Sequence, residues 1–395
     1  VQDAIAKREK INVKDKPHKS GFTLLFYNNK DVVMTLKSRL RAAIMPSAFL
    51  PSLGAIAAGV LLMTLQTTSA QAAGQFYNCA NATGCKMVDS KFFTSKHTDT
   101  KYPVVMAHGL GGWTKLFGVL DYFYGIPETL MAGGSEVYST KTSAFNNSEV
   151  RGEQLLQQIK TITAISGKPK VNLFGHSMGG IDIRYVAGVA PNYVASVTAV
   201  SSPEQGSKMA DWVIKQVVEG SANSGYAEGE FNVGSQIALG FFKFVGGFMD
   251  VGSGISFKEI QEQDGWEAVT ALSTASSAKF NAKFPAAMPS SYCGQPTNTE
   301  VNGIKYYSFS GIGQVTNGLD PSDYLLALTG TTFDGESNDG LVSACSSRLG
   351  HVIRDDYKMN HMDSVNQLLG LVAWGQPNPK TVYRDQVNRL KNANL

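Results

Sequence analysis

The chain has 395 residues, 43% of them apolar and 17% charged, with a formal net charge of +3. Residues 1–72 hold 10 of the 35 Lys+Arg and 4 of the 32 Asp+Glu, which leaves 25 basic against 28 acidic side chains in the remainder, a balance of −3. No basic surface for nucleic acid is implied, and the length suits one large α/β domain or two domains.

Residues 1–33 are charged, lack a clear period and precede Met34, so they are expected to be an upstream extension outside the mature fold. Residues 34–72 have the three parts of a secretory signal peptide: Arg39 and Arg41, the apolar run "AFLPSLGAIAAGVLLMTL" (48–65), and Ala70-Gln71-Ala72 as the cleavage site. The run reaches about 18 residues and carries Pro51, short for a membrane anchor. The mature part, 73–395, is expected to be secreted as a single domain with no stable membrane span. It holds Cys79, Cys85, Cys293 and Cys345. An even number of cysteines in an exported chain favours disulfides, with three pairings open. No C-x-x-C pair suggests zinc or a thioredoxin-like site.

In chain order, "YPVVMAHG" (102–109) reads as a buried strand and "EVYST" (136–140) as another. "SEVRGEQLLQQIKTIT" predicts a helix with Val150, Leu155, Leu156, Ile159 and Ile162 on one face. "KVNLFG" (170–175) is a strand, "IDIRYVAGVAP" a helix and "YVASVTAVSSP" a strand. This alternation predicts an α/β fold with a mostly parallel sheet flanked by helices. Residues 205–285 read as mostly helical. Within them Ile237, Phe241, Phe244 and Phe248 form an apolar face that fits either a core helix or a lid over an active site. The sheet resumes at "IKYYSFSG" (304–311), and "DSVNQLLGLVAW" predicts a last helix with Val365, Leu368, Leu369 and Val372 on one face.

Gly175-His176-Ser177-Met178-Gly179 follows an apolar strand and precedes a helix, the context of a nucleophile elbow. A tight turn there crowds out side chains two residues either side of the serine. Without G-x-G-x-x-G spacing or a following Gly-Lys-Ser/Thr, a phosphate loop does not fit. A serine needs a base to take its proton, and the fold's order is Ser, acid, His. Beyond Ser177 lie only His351, in an extended segment, and His361, in a loop before the expected last helix; position favours His361. His176 adjoins Ser177 and is expected to point away from it. For the acid, Asp339 competes with Asp320, Asp323, Asp334 and Asp355, and Asn338-Asp339-Gly340 could be a simple turn. "AHGLGGW" (107–113) offers the Leu110 N–H beside that of Met178 for an oxyanion, with His108 orienting the loop.

The blocks "YPVVMAHGLGGW", "SEVRGEQLLQQI", "VNLFGHSMGG", "IRYVAGVAP", "LDPSD", "NDGLVSACSSRLGHVIRDDYKMNHMDSVNQLLG" and "VYRDQVNRLKNANL" together resemble the secreted, calcium-binding, foldase-dependent true lipases of Gram-negative bacteria, from about Phe76 to the C-terminus. The resemblance implies an α/β-hydrolase fold and hydrolysis of long-chain acylglycerols at a lipid–water interface. It implies Ser177 as nucleophile, Asp339 as acid, His361 as base, and Leu110 and Met178 as oxyanion donors. It pairs Cys293 with Cys345, a closure worth roughly 4 kcal/mol in the chain-entropy account. It implies one calcium ion held by the carboxylates of Asp320 and Asp363 and the carbonyls of Gln367 and Leu371, an oxygen set that suits this cation. It also implies a helical lid at 221–252, within a lid or cap region of 205–285, and a foldase partner during export through the periplasm. Two features depart from the family: "SSPEQGS" (201–207), expected to alter the cleft rim, and Cys79 with Cys85, left as a small-loop disulfide or free thiols. The competing readings are a short-chain carboxylesterase or polyester depolymerase on the same fold, and a non-catalytic binding protein on a hydrolase scaffold.

Overall fold

Short apolar runs line up as one nine-stranded sheet in the computed structural model, which describes residues 73–81, 84–92, 95–112, 115–116, 120–222 and 265–395. The strands are β1 (Ala73–Asn81), β2 (Gly84–Phe92), β3 (Val104–Ala107), β4 (Lys115–Leu116), β5 (Leu120–Asp121), β6 (Glu136–Thr140), β7 (Val171–His176), β8 (Val194–Val200), β9 (Glu300–Val301), β10 (Ile304–Gly311) and β11 (His351–Tyr357). The main sheet runs β11-β10-β8-β7-β3-β6-β1-β2, with β9 on β10, while β4 and β5 make a separate hairpin. Every pair from β11 to β1 is parallel; β2 and β9 are antiparallel additions.

The middle strands β3, β7 and β8 are buried along their whole length, as a parallel sheet covered on both faces requires. Alternate residues feed two cores. Val104, Met106 and Phe174 pack with Phe309, Tyr383 and Leu390 on one face. Val105 and Leu173 pack with Leu155, Ile159 and Ile183 on the other. The helices are α1 (Ile126–Met131), α2 (Ser148–Ser166), α3 (Met178–Val189), α4 (Lys208–Ala222), α5 (Gly265–Ala271), α6 (Thr274–Lys283), α7 (Pro321–Gly330) and α8 (Pro379–Asn392). α2 starts where the Asn147 side chain accepts from the Val150 N–H, and it stops at Gly167, whose φ of 66° ends the right-handed turn. Its buried stripe is Leu155, Leu156, Ile159 and Ile162; Val150 is exposed, contrary to the pattern expected.

Three further findings differ from the sequence reading or complete it. "DSVNQLLGLVAW" is no α-helix: one 3-10 turn (Asp363–Val365) gives way to a loop in which Asn366, Leu369 and Gly370 have φ of 61°, 56° and 79°. Left-handed residues at that spacing break the i→i−4 ladder. The last helix is α8, whose N-cap Asn378 and Pro379 mark its start. The β1–β2 hairpin has no expected counterpart. A Cys79–Cys85 disulfide closes it, and Cys293 bonds Cys345. The expected upstream extension, signal peptide and apolar face at 237–248 lie outside the described residues.

Candidate active site

Ser177 stands between β7 and α3 with φ 54° and ψ −130°, a conformation costly for any side chain and held only where its surroundings leave no alternative. Those surroundings are backbone. A Cβ on Gly175 would lie 2.2 Å from the Gly179 carbonyl oxygen, and one on Gly179 would lie 2.4 Å from that of Ala107. The glycines two residues either side of Ser177 are therefore steric necessities. Gly109 fits as tightly, since a Cβ there would meet the Ser177 Cβ at 2.7 Å, so the loop after β3 is pressed against the elbow. The N–H groups of Leu110 and Met178 have no hydrogen-bond partner among the described residues.

His361 is buried with Asp339. Its Nδ1–H donates to Asp339 Oδ2 at 2.9 Å, and its backbone N–H donates to the Asp339 carbonyl at 2.9 Å. The carboxylate accepts only, so the proton sits on Nδ1 and leaves Nε2 with a free lone pair. Asp339 Oδ1 accepts from the N–H groups of Leu341 (3.0 Å) and Val342 (2.8 Å), which orients the carboxylate toward His361. Of the other residues weighed as acid or base, His351 is the exposed first residue of β11, and Asp355 pairs with Arg348 at 2.8 Å.

His176 ties the elbow to the loop of His361. It is buried, its Nε2–H donates to the His361 carbonyl at 3.1 Å, and the two rings lie 4.6 Å apart. Its Nδ1 accepts from the Tyr122 hydroxyl at 2.7 Å, and that hydroxyl accepts from the Gly109 N–H at 3.1 Å. Burial, and then the neighbouring His361, hold the His176 imidazole well below its usual range and so neutral. This chain joins the loop after β3, the elbow and the base loop; Tyr122 carried no sequence motif that could have revealed it. Arg151 escaped notice too, as one charge on an amphipathic helix. It is fully buried, pairs with Asp182 at 2.8 Å, and donates to the carbonyls of His108 (2.8 Å) and Gly109 (3.3 Å). Burial lifts the Asp182 carboxyl to about 6 while Arg151 pulls the other way. His108 orients the same loop: its Nδ1–H meets the Gly109 carbonyl at 2.8 Å and its Nε2 accepts from Thr142 at 3.2 Å. Burial, then Arg151, lower its pKa to about 3.

"SSPEQGS" is not a rim. Ser201–Glu204 are buried, Glu204 pairs with Arg184 at 2.7 Å, and Ser207 Oγ donates to the Leu341 carbonyl at 2.6 Å. The segment braces the loop that carries Asp339 through this Ser207 bond and through the Gln205 N–H donating to Ser346 Oγ at 3.2 Å, while Glu204 is held to α3 by the arginine a buried glutamate needs.

Asp320 and Asp363 are both fully buried, and Oδ2 of the first and Oδ1 of the second have no hydrogen-bond partner among the described residues. Burial, with the charges of Asp320 and Asp323 adding to it, lifts Asp363 to about 7. Gln367 Nε2 donates to the carbonyls of Asp121 (2.6 Å) and Tyr122 (2.8 Å) while its Oε1 is buried without a partner among the described residues, and neither the Gln367 nor the Leu371 carbonyl accepts from a backbone N–H among the described residues. Two unpartnered carboxylate oxygens and two uncommitted carbonyls are the oxygen chemistry a hard cation takes. No cluster of three or more His, Cys, Asp or Glu suited to a metal occurs among the described residues.

The family profile for the alpha/beta hydrolase fold matches residues 102–236. A triacylglycerol lipase of Vibrio cholerae is 46% identical over 299 residues, which cover 76% of this chain and 90% of the relative. The chain belongs to the bacterial triacylglycerol lipase family. A second family member, from Burkholderia plantarii, is 37% identical over 348 residues, with 79% of this chain and 92% of that one covered. Among solved structures, EstA from Clostridium botulinum matches with a TM-score of 0.51 at 16% identity over 74% of this chain and 88% of that one, a likeness of fold alone.

Proposed function

We propose that this family member is a triacylglycerol lipase that works through an acyl-enzyme on Ser177. The observation that carries the reading is the buried Asp339–His361 pair, linked through His176 to a strained serine. His361 Nε2 takes the Ser177 proton as Oγ attacks the ester carbonyl. Asp339 keeps the proton on Nδ1 and stabilises the imidazolium. The Leu110 and Met178 N–H groups receive the oxyanion. The imidazolium then protonates the departing alcohol, and water, activated by the same nitrogen, releases the fatty acid.

Calcium is part of the proposal. Asp320, Asp363 and the Gln367 and Leu371 carbonyls would hold it, and its charge would offset the buried carboxylates of Asp320, at the start of α7, and Asp363, two residues after His361. Export and a foldase partner are proposed from the leader and the family resemblance; two disulfides agree with an oxidising destination. Among the described residues no helix is long and apolar enough to cross a membrane.

The test compares turnover of dissolved short-chain esters with emulsified long-chain triglyceride. A rate that jumps when the triglyceride passes its solubility limit supports the lipase. Turnover confined to dissolved short-chain esters makes the chain an esterase instead.

A further inference from the structure

Residues 312–333 and 364–379 meet on one side of the molecule. Asn317 Nδ2 reaches the Val372 carbonyl at 3.5 Å, and Asp323 accepts from Asn360 Nδ2 (2.6 Å) and from the Thr316 and Asn317 N–H groups (2.7 Å each). These 22 and 16 residues contain only two Asp, Glu, Lys, Arg or His side chains, Asp320 and Asp323, both fully buried. At the chain's 17% charged content about six would be expected, most of them in water. The surface instead presents Trp374 at 89% exposure, Leu319 at 79%, Tyr324 at 67%, Leu369 at 66% and Val315 at 63%.

Leu369 adds an independent sign. It sits at φ 56° in a turn whose other left-handed residues are Asn366 and Gly370, the types this conformation favours. A turn needed only for the chain path would take Asn or Gly at 369 as well. A leucine kept there, strained and in water, points to a use for its side chain.

We propose that this charge-free face docks the enzyme on the surface of aggregated neutral ester. The occupant follows from the chemistry. A protein partner would call for a polar, hydrogen-bonding rim and preformed pockets for each protruding side chain. An anionic membrane would call for Lys or Arg. Projecting Leu and Trp side chains on two segments that themselves carry no exposed charge suit a fluid, neutral surface, and an indole is well placed where oil meets water. The second segment begins three residues after His361, which ties the docked surface to the loop of the proposed base. The inference rests on the proposed action on aggregated esters.

The test uses the whole protein and the triple variant Leu319→Ser/Leu369→Asn/Trp374→Ser. Adsorption to triolein droplets is measured by flotation, alongside turnover of dissolved p-nitrophenyl butyrate. The variant is expected to adsorb at least about tenfold more weakly while turning over the dissolved ester within about twofold of the parent. Where the triple variant does not fold, Leu369→Asn alone, which suits its backbone, and Trp374→Ser alone should each weaken adsorption by about threefold or more. Folded variants that adsorb like the parent overturn the proposal. So does a parent dimer that the variants convert to monomer without changed adsorption, which makes the face a protein interface. A parent inert toward both the dissolved ester and emulsified triglyceride refutes the functional reading instead, separately from adsorption.

Discussion

The two halves of the proposed active centre are held by different physics. Ser177 rests on backbone packed against backbone: β7, the first turn of α3 and the loop after β3 touch through Gly109, Gly175 and Gly179, with no room for a methyl group. His361 rests on a loop without a regular helix, held by Asp339 and by the His176 hydrogen bond, and followed two residues later by Asp363 with an unpartnered carboxylate oxygen. Steric confinement fixes a position at any pH or salt. A polar network fixes it only while every partner is present, so the base side should be the adjustable one.

The strongest way to break the steric half is Gly179→Val. Its side chain meets the Ala107 carbonyl, which cannot move without displacing β3, so destabilisation should exceed about 4 kcal/mol and soluble folded protein should be lost, as circular dichroism would show. The polar half breaks without unfolding: Asp339→Asn should lower kcat by about 10⁴-fold with little change in thermal midpoint. Between them lies Arg151→Met, which strands the Asp182 carboxylate and frees the His108 carbonyl; denaturant titration should show a loss of about 3–5 kcal/mol. Chelation should lower the thermal midpoint by roughly 5 °C, with recovery on adding calcium but not magnesium. An unchanged midpoint would leave the Asp320–Asp363 pair without its proposed cation. The smallest effect belongs to Tyr122→Phe, which removes the donor to His176. Turnover of a dissolved ester should fall about tenfold while stability falls by about 1 kcal/mol. An unaltered rate would mean that the His176 link positions nothing.

The steric half was the legible one. Glycine spacing around Ser177 and the apolar runs of β3, β7 and β8 are local signals, and the parallel sheet follows from their alternation with helices. Asp339 was one of five aspartates until the family resemblance singled it out, because an acid's role depends on which loop folds beside His361. Arg151, Tyr122 and His176 act through contacts with partners 31, 54 and 185 residues away, and no local pattern encodes such distances. The mistaken last helix has a similar cause. Val365, Leu368, Leu369 and Val372 have helical spacing, but Asn366 and Gly370 allow a left-handed path, and the buried Gln367 side chain tethers the loop to β5 and Tyr122. Here tertiary contacts outweighed periodicity.

The central claim, that one strained serine and one aspartate-oriented histidine do the chemistry, is tested most directly by organophosphonate labelling followed by mass spectrometry. The account predicts a single adduct on the peptide containing Ser177, no adduct in Ser177→Ala, and strongly slowed labelling in His361→Ala. An adduct on another residue, or undiminished labelling of Ser177→Ala, would contradict it.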